Sequence, residues 1–246
     1  MKIKVVLLLT ATFDPGDYSE QLKISSLEER LEDYKEALVF WSSIKDDRIA
    51  GIVLCENSGV KVDPYILKLI EDRGIEFIQF DGNDKPPNVH YGYSELGIID
   101  YAISNSKLIN KYERFIKITG RLKFGCIHNL LDHIPEELNM LIDLRTNYKT
   151  KGTYIARTQI FFSTKQFWIQ NLFNRRAEMI GKYALIEDWI PTILLSVDRG
   201  NIILRFPIEC YPIGRSGAFG TQFGGSGKAK SILRSWTRRI LPFLWI

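Results

Sequence analysis

Near the middle of the chain, Phe115, Ile116, Lys117, Ile118, Thr119, Gly120 and Arg121 form a run that begins as a buried strand and ends in polar chemistry. Phe and Ile supply the bulk and β-branching of a core strand. The last three residues supply a hydroxyl, a flexible backbone and a fixed positive charge. In open α/β sheets ligands bind beyond the carboxyl ends of strands, and a glycine lets backbone approach them closely. The planar fork of Arg121 suits a phosphate or a carboxylate. The same seven residues also read as a β-turn with a surface arginine, so the other strand ends must decide.

Thr10, Ala11 and Thr12 close a first apolar run, Ile3 to Leu9, with residues small enough to sit beside a ligand. A second run, Ile49 to Leu54, ends in Cys55, Glu56, Asn57, Ser58 and Gly59. Glu56 and Asn57 suit ribose hydroxyls or a base edge, and equally an Asx-type turn. Tyr91, Gly92, Tyr93, Ser94 and Glu95 open an apolar helix. Glu95 suits a sugar hydroxyl or a neighbouring arginine, or is simply a first-turn acid. Glu187 and Asp188 open a later helix, where two acids also satisfy the macrodipole. His90, His128 and His133 lack metal-ligand spacing.

The elements that position these residues alternate. Strands over Ile3 to Leu9, Ile49 to Leu54, Ile75 to Phe80 and Phe115 to Arg121 are separated by helical patterns over Ser26 to Ser42, Tyr65 to Arg73 and Leu96 to Leu108. Ser26 with Glu29 has capping-box spacing, Ser94 is placed to cap the third helix, and Gly74 stops the second. This alternation predicts a mainly parallel sheet with helices on its faces. Further on, Met140 to Leu144 reads as a short strand, Tyr154 to Phe162 as β-rich with Arg157 interrupting it, and Ser163 to Tyr183 as one long helix. A helix from Ile186 to Leu195 carries Pro191 in its first turn, and Ile202 to Phe206 is a last strand.

The 246 residues can bury a substantial core, and 45% hydrophobic with 25% charged residues describes an ordered globular chain. Cys55, Cys126 and Cys210 are widely spaced and indicate neither a disulfide framework nor zinc, which fits a reducing, cytoplasmic setting. No stretch approaches the roughly 18 to 20 apolar residues of a membrane span. The first apolar run is followed at once by Asp14, Pro15, Gly16 and Asp17, so it is read as a strand meeting its loop and not as a leader. After Glu209 there are six bases and no acid, so 27 bases face 29 acids in the body and the net +4 belongs to the tail. That confinement argues against nucleic acid as a partner.

The order of first buried strand, Glu56 to Gly59 strand tip, Gly92 to Glu95 helix start, Lys117 to Arg121 strand end and late Glu187–Asp188 helix resembles small bacterial glycosyltransferases of surface-polysaccharide (lipopolysaccharide or capsule) assembly, over roughly Lys2 to Gly220. The resemblance implies a GT-A-like, Rossmann-related catalytic domain over 1–212, then a glycine-rich loop and basic amphipathic tail over 213–246. It implies a nucleotide-sugar donor and a glycan or lipid-linked saccharide acceptor. It also implies a donor site drawn from Thr10, Ala11, Thr12, Glu56, Asn57, Glu95, Lys117, Thr119, Gly120, Arg215 and Ser216.

GT-A enzymes commonly hold Mn or Mg on an Asp-x-Asp motif after the fourth strand, because the metal neutralises the departing diphosphate. Thr119, Gly120 and Arg121 stand there instead, so Arg121, helped by Lys117 and Arg215, is expected to meet that charge. Asp81 and Asp84 keep a divalent metal open. In the resembled family a late acid at a helix start takes the acceptor proton, which selects Glu187 first and Asp188 second as catalytic residues beside Arg121. The loop carrying Arg215, Ser216, Gly217 and Gly220 reads as a cover for the diphosphate or as a linker. In the tail, Ile232, Leu233, Trp236 and Ile240 recur at helical spacing, with Lys228, Arg234, Arg238 and Arg239 on the other side. This predicts a helix lying on the cytoplasmic face of the membrane, its bases meeting anionic headgroups, or a helix packed on the body. A sugar nucleotidyltransferase and a non-catalytic membrane adaptor remain as alternatives.

Overall fold

Val5, Leu7 and Leu9 point to one side of the first strand and Val6 and Leu8 to the other, and all five are fully buried in two separate apolar clusters. A strand of that kind must be covered on both faces. The computed structural model describes residues 3–16, 22–24, 26–84, 86, 89–146, 152–183, 185–198, 200–217, 220, 222–223 and 227–240. Its strands are β1 (Val5–Ala11), β2 (Ile49–Glu56), β3 (Glu76–Gln79), β4 (Arg114–Thr119), β5 (Met140–Leu141), β6 (Leu144–Thr146), β7 (Tyr154–Ala156), β8 (Ile160–Thr164), β9 (Ile202–Ile203), β10 (Gly214–Arg215) and β11 (Gln222–Phe223). The central sheet runs β3-β2-β1-β4-β8-β5-β9, with β8 antiparallel to both neighbours and every other pairing parallel. The expected α/β architecture, a mostly parallel central sheet flanked by helices, is present.

One face is covered by α1 (Leu27–Ser43), α2 (Pro64–Asp72) and α5 (Ile127–Leu131), through Tyr34, Leu38, Trp41, Ile66 and Leu130. The other is covered by α3 (Gly92–Asn105), α4 (Lys107–Tyr112), α6 (Lys165–Asn171) and α7 (Ile186–Leu194), through Leu96, Ile99, Ile109, Trp168 and Trp189. Because side chains alternate along β4, Ile116 and Ile118 join the first cluster while Phe115 and Lys117 face the second.

Several local expectations are corrected. Ser26 makes no side-chain cap, because Glu29 is turned toward Arg215. Ser94 lies inside α3, and the apolar run breaks at Ser106, whose hydroxyl caps α4 while Glu76 accepts from the backbone of Lys107 and Leu108. The long helix expected over Ser163 to Tyr183 ends at Asn171. Thr164 caps its start, and Asn174 takes a left-handed turn (φ 57°) whose N–H is held by buried Asp100. Pro191 sits in the second turn of α7, where it removes the bond that the Glu187 carbonyl would accept.

In the tail helix α8 (Gly227–Ile240) two of the bases face the body and the apolar stripe faces outward. Arg238 is buried and forms ion pairs with Asp143 and Glu209, and Arg234 lies 3.5 Å from Glu209. Ile232, Leu233, Trp236 and Ile240 are instead 61–69% exposed. These two arginines therefore clip the helix to the body, and Arg238 is withdrawn from any headgroup. Residues 241–246, expected to extend the apolar tail, lie outside the described residues. Arg238→Ala removes the guanidinium that bridges Asp143 and Glu209, leaves Asp143 to Arg145 and Glu209 to Arg145 and Arg234, and should cost about 1.5–3 kcal/mol in urea unfolding. An Arg238→Ala protein within about 1 kcal/mol of the parent would show that this clip is not structural.

Candidate functional site

Beyond the carboxyl ends of β1 and β4 lies a pocket lined by Thr10, Thr12, Arg30, Tyr91, Glu95, Thr119, Arg121, Thr158, Gln159, Glu187, Arg215, Ser216 and Gly217, among others. Its floor is set by one carboxylate. Glu95, on the first turn of α3, accepts from Thr10 Oγ1 and Thr119 Oγ1, each at 3.2 Å, and from Lys117 Nζ. Lys117 is fully buried and also donates to the Thr158 carbonyl at 2.8 Å. Lys117 is thus a support beneath Glu95 and does not line the pocket, which corrects its place in the donor site. Alternation sent it to the α3 face, where a cation is tolerated because a carboxylate meets it.

Gly120 is also reassigned. Its N–H donates to the Thr10 carbonyl at 2.8 Å, and a Cβ there would sit 2.7 Å from that oxygen. The glycine serves the close approach of two strand ends, not of a ligand. The turn it makes throws Arg121 back into the pocket, where it is 8% exposed. Arg121 Nη1 donates to the Arg215 carbonyl at 3.3 Å and lies 3.8 Å from Asp33, while its buried Nε has no partner.

A second guanidinium lies close by. Arg30 of α1 is 4% exposed and is held entirely by carbonyls of Thr12, Phe13 and Ile24. Burial, together with nearby Arg121, holds Arg30 below the ordinary arginine range. Arg215 completes the group, pairing with Asp33 at 2.9 Å and with Glu29 at 3.5 Å. Two clustered guanidiniums with no carboxylate fully committed to them favour an incoming anion.

The glycine-rich loop is folded against this group. Gly217 accepts from the N–H groups of Lys23 and Ile24, and a Cβ at Gly217 would collide with the Arg121 guanidinium. Ile213 pairs in both directions with Lys123, so the segment is ordered as a wall of the pocket. Ala218, Phe219 and Thr221 lie outside the described residues.

On the opposite side stands Glu187. Its Oε1 accepts from Thr158 Oγ1 at 3.1 Å, and its buried Oε2 has no partner. Burial first, and then the charge of Glu95, raise Glu187 above the ordinary glutamate value. The neighbouring Tyr91 phenol is likewise pushed up, by burial and then by Glu187 and Glu95. Asp188, the second candidate for this role, does not line the pocket. His90 is held neutral by burial, with its pKa lowered to about 4.

The second strand end does not contribute as expected. Glu56 is fully buried and accepts from the N–H groups of Phe13, Ser58 and Gly59, from the Ser58 hydroxyl and from Gln79. It organises two loops and has no face left for a ribose. Asn57 is fully buried too, accepting from Thr12 Oγ1 at 2.6 Å, and Ala11 is 1% exposed; neither lines the pocket. Thr10, Thr12, Glu95, Thr119, Arg121, Glu187, Arg215 and Ser216 are brought together, whereas Ala11, Glu56, Asn57, Lys117, Gly120 and Asp188 stand behind or beside them. Arg30, Tyr91 and Gln159 complete the lining and were not singled out from sequence. The signal for Arg30 was its place four residues before Tyr34, on the buried stripe of α1.

For a divalent metal the donor set does not fit. Asp84 is paired with Arg176 at 3.3 Å, and no group of three or more His, Cys, Asp or Glu side chains comes together among the described residues.

No protein-family model and no curated protein matches the chain. Among solved structures it is similar to the galactosyltransferase LgtC (10% identity, 81% of this chain and 72% of that one, TM-score 0.48). It is also similar to an inositol-1-phosphate CTP transferase from T. maritima (12% identity, 96% and 97%, TM-score 0.46) and to a 4-diphosphocytidyl-2C-methyl-D-erythritol synthase (14% identity, 95% and 98%, TM-score 0.42). Overlaps this low carry no argument about activity, and the architecture stands on its own strand order.

The raised Glu187 pKa has a stability consequence. Since the folded state binds its proton more tightly than the unfolded chain, stability falls as pH rises from the ordinary value of 4.5 through the raised folded value. Glu187→Gln removes that fall. Thermal melts at pH 5 and pH 8 should therefore show the Gln variant gaining on the parent at the higher pH; a constant difference between the two would contradict the raised value.

Proposed function

We propose that this chain is a nucleotide-sugar-dependent glycosyltransferase that adds a sugar to a glycan, with a lipid-linked saccharide of bacterial surface-polysaccharide assembly as acceptor. The observation that carries the reading is the pairing, within one pocket, of two groups of opposite charge that each keep a buried, unsatisfied atom: Arg121 Nε and Glu187 Oε2. Buried polar atoms of this kind are costly unless a ligand completes them.

In this reading the acceptor hydroxyl gives its proton to Glu187 as its oxygen attacks the anomeric carbon. The bond from that carbon to the diphosphate breaks, and its electron pair leaves with the nucleoside diphosphate. Arg121 and Arg30 face the charge that develops there, preorganised by Asp33 and by the carbonyls that fix Arg30. A raised pKa makes Glu187 a stronger base once it is ionised. The wall formed by Arg215, Ser216 and Gly217 keeps water from the reacting carbon. Cationic side chains would then do what a metal does in related catalysts, so turnover is proposed to be metal-independent.

Arg121→Gln should lower turnover about 10²–10³-fold with the fold retained, and Glu187→Gln about 10²–10⁴-fold. A thermal-shift panel of nucleotide sugars and nucleoside triphosphates, with and without manganese, checks the class. Stabilisation by a nucleotide sugar alone supports the proposal. Stabilisation only by a triphosphate with metal favours a nucleotidyltransferase, and full turnover in both variants removes the catalytic assignment.

For the tail we propose a peripheral position on the cytoplasmic face of the membrane, supported by the exposed stripe of Ile232, Leu233, Trp236 and Ile240. Each such side chain is worth about 1.5–3 kcal/mol when buried. Trp236→Glu with Ile240→Glu should therefore abolish co-sedimentation with phosphatidylethanolamine–phosphatidylglycerol vesicles. Unchanged pelleting of that variant would assign the stripe to another partner.

A further inference from the structure

Beside the pocket, Asp143 and Glu209 gather a set of arginines. Asp143 is held by Arg145 and by both nitrogens of the Arg238 fork. Glu209 is held by Arg145, Arg234 and Arg238. All four carboxylate oxygens are therefore already engaged by a guanidinium. Two more arginines lie near the same carboxylates, Arg157 and Arg205. The backbone N–H of Arg157, in the link between β7 and β8, donates to the Asp143 carbonyl at 2.9 Å. Its side chain donates only to the neutral Gln159 amide oxygen, at 3.2 Å, and among the described residues no carboxylate pairs with it.

Arg157 is half-buried, and burial first, then the charge of Arg145 and, more weakly, that of Arg234, hold it below the ordinary arginine range, while Asp143 and Glu209 pull the other way. With five guanidiniums, those of Arg145, Arg157, Arg205, Arg234 and Arg238, gathered about two carboxylates, the cluster keeps a net positive charge. Its position is specific, since Gln159 lines the pocket and Thr158, the next residue, holds Glu187. A half-exposed guanidinium beside such a surplus favours an anion arriving from outside the fold.

We propose that Arg157 is a specificity residue for a negatively charged acceptor, whose phosphate or carboxylate group supplies the counter-charge missing from this cluster. Only the word acceptor rests on the transferase reading; the binding of an anionic saccharide at Arg157 does not. The phosphate source is a sugar phosphate or the phosphate of a lipid carrier, and the carboxylate source is a uronic acid.

Calorimetric titration of glucose 6-phosphate, glucuronate and neutral glucose tests this in an Arg121→Gln protein, in which the pocket's own anion site is weakened while Arg30 and Arg215 remain. At least one charged sugar should bind about tenfold or more tightly than glucose, as a charge-assisted hydrogen bond gives. That preference should vanish in Arg121→Gln/Arg157→Gln and survive in part in Arg121→Gln/Arg157→Lys. Preference for glucose 6-phosphate assigns a phosphorylated acceptor, and preference for glucuronate an acidic sugar. No preference in the Arg121→Gln protein, or an equal preference after Arg157→Gln, overturns the proposal. So does a Tm fall above about 5 °C in Arg157→Gln alone, since removing an uncompensated cation should not destabilise the fold. If the preference holds while no nucleotide shifts the melting of the parent, the anion site stands and the transferase reading fails.

Discussion

The buried contact between Lys117 and Glu95 is the constraint on which the site depends. Lys117 lies on β4 and Glu95 at the start of α3, and the same Glu95 oxygen accepts from Thr10 of β1 and Thr119 of β4. One carboxylate thereby fixes the relative height of two strand ends and a helix N-terminus. An isolated lysine in the core would be costly. Once its charge is met, the two ions become a rigid floor, and the groups above it face a common space. Removing either partner would leave an uncompensated charge between a sheet and the helix that covers it.

The charge distribution above that floor is asymmetric. Arg30, Arg121 and Arg215 stand toward α1 and the C-terminal wall, while Glu187 stands toward α7 with Thr158 as its hydrogen-bond partner. Asp33 tempers the cationic side without filling it, since its Oδ2 reaches Arg121 only at 3.8 Å. A pocket divided in this way favours a ligand whose negative charge is concentrated at one end and whose other end offers hydrogen-bond donors. Behind the lining residue Gln159, Arg157 adds a further positive charge.

Much of the fold was legible because β1, β2 and β4 are buried on both faces and therefore read as continuous apolar runs. Arg121 was legible as a cation at a strand end. Glu56 and Asn57 misled, since Glu-Asn-Ser-Gly has the same letters whether it faces a ribose or satisfies the N–H groups of its own and a neighbouring loop, as it does. The break after α6 was hidden because Asn174, in a left-handed turn, leaves the apolar spacing intact on either side. Arg30 was hidden by the habit of charged helix residues to be solvated; only its neighbours on the stripe placed it inside. The inward turn of Arg238 was beyond reach, since it answers two carboxylates far away in sequence.

The bridge between Lys123 and Ile213 carries an implication for how the protein comes into being. The wall facing Arg121 is contributed by a segment 94 residues later, and Arg215 reaches back 186 residues to Glu29. Such distant closures are slow, and during synthesis the amino-terminal sheet is available to collapse first. A nascent chain can thus own a folded core and still lack one side of the pocket until the segment around Arg215 has been made. The order of synthesis itself leaves that cleft unfinished after the sheet beneath it is in place.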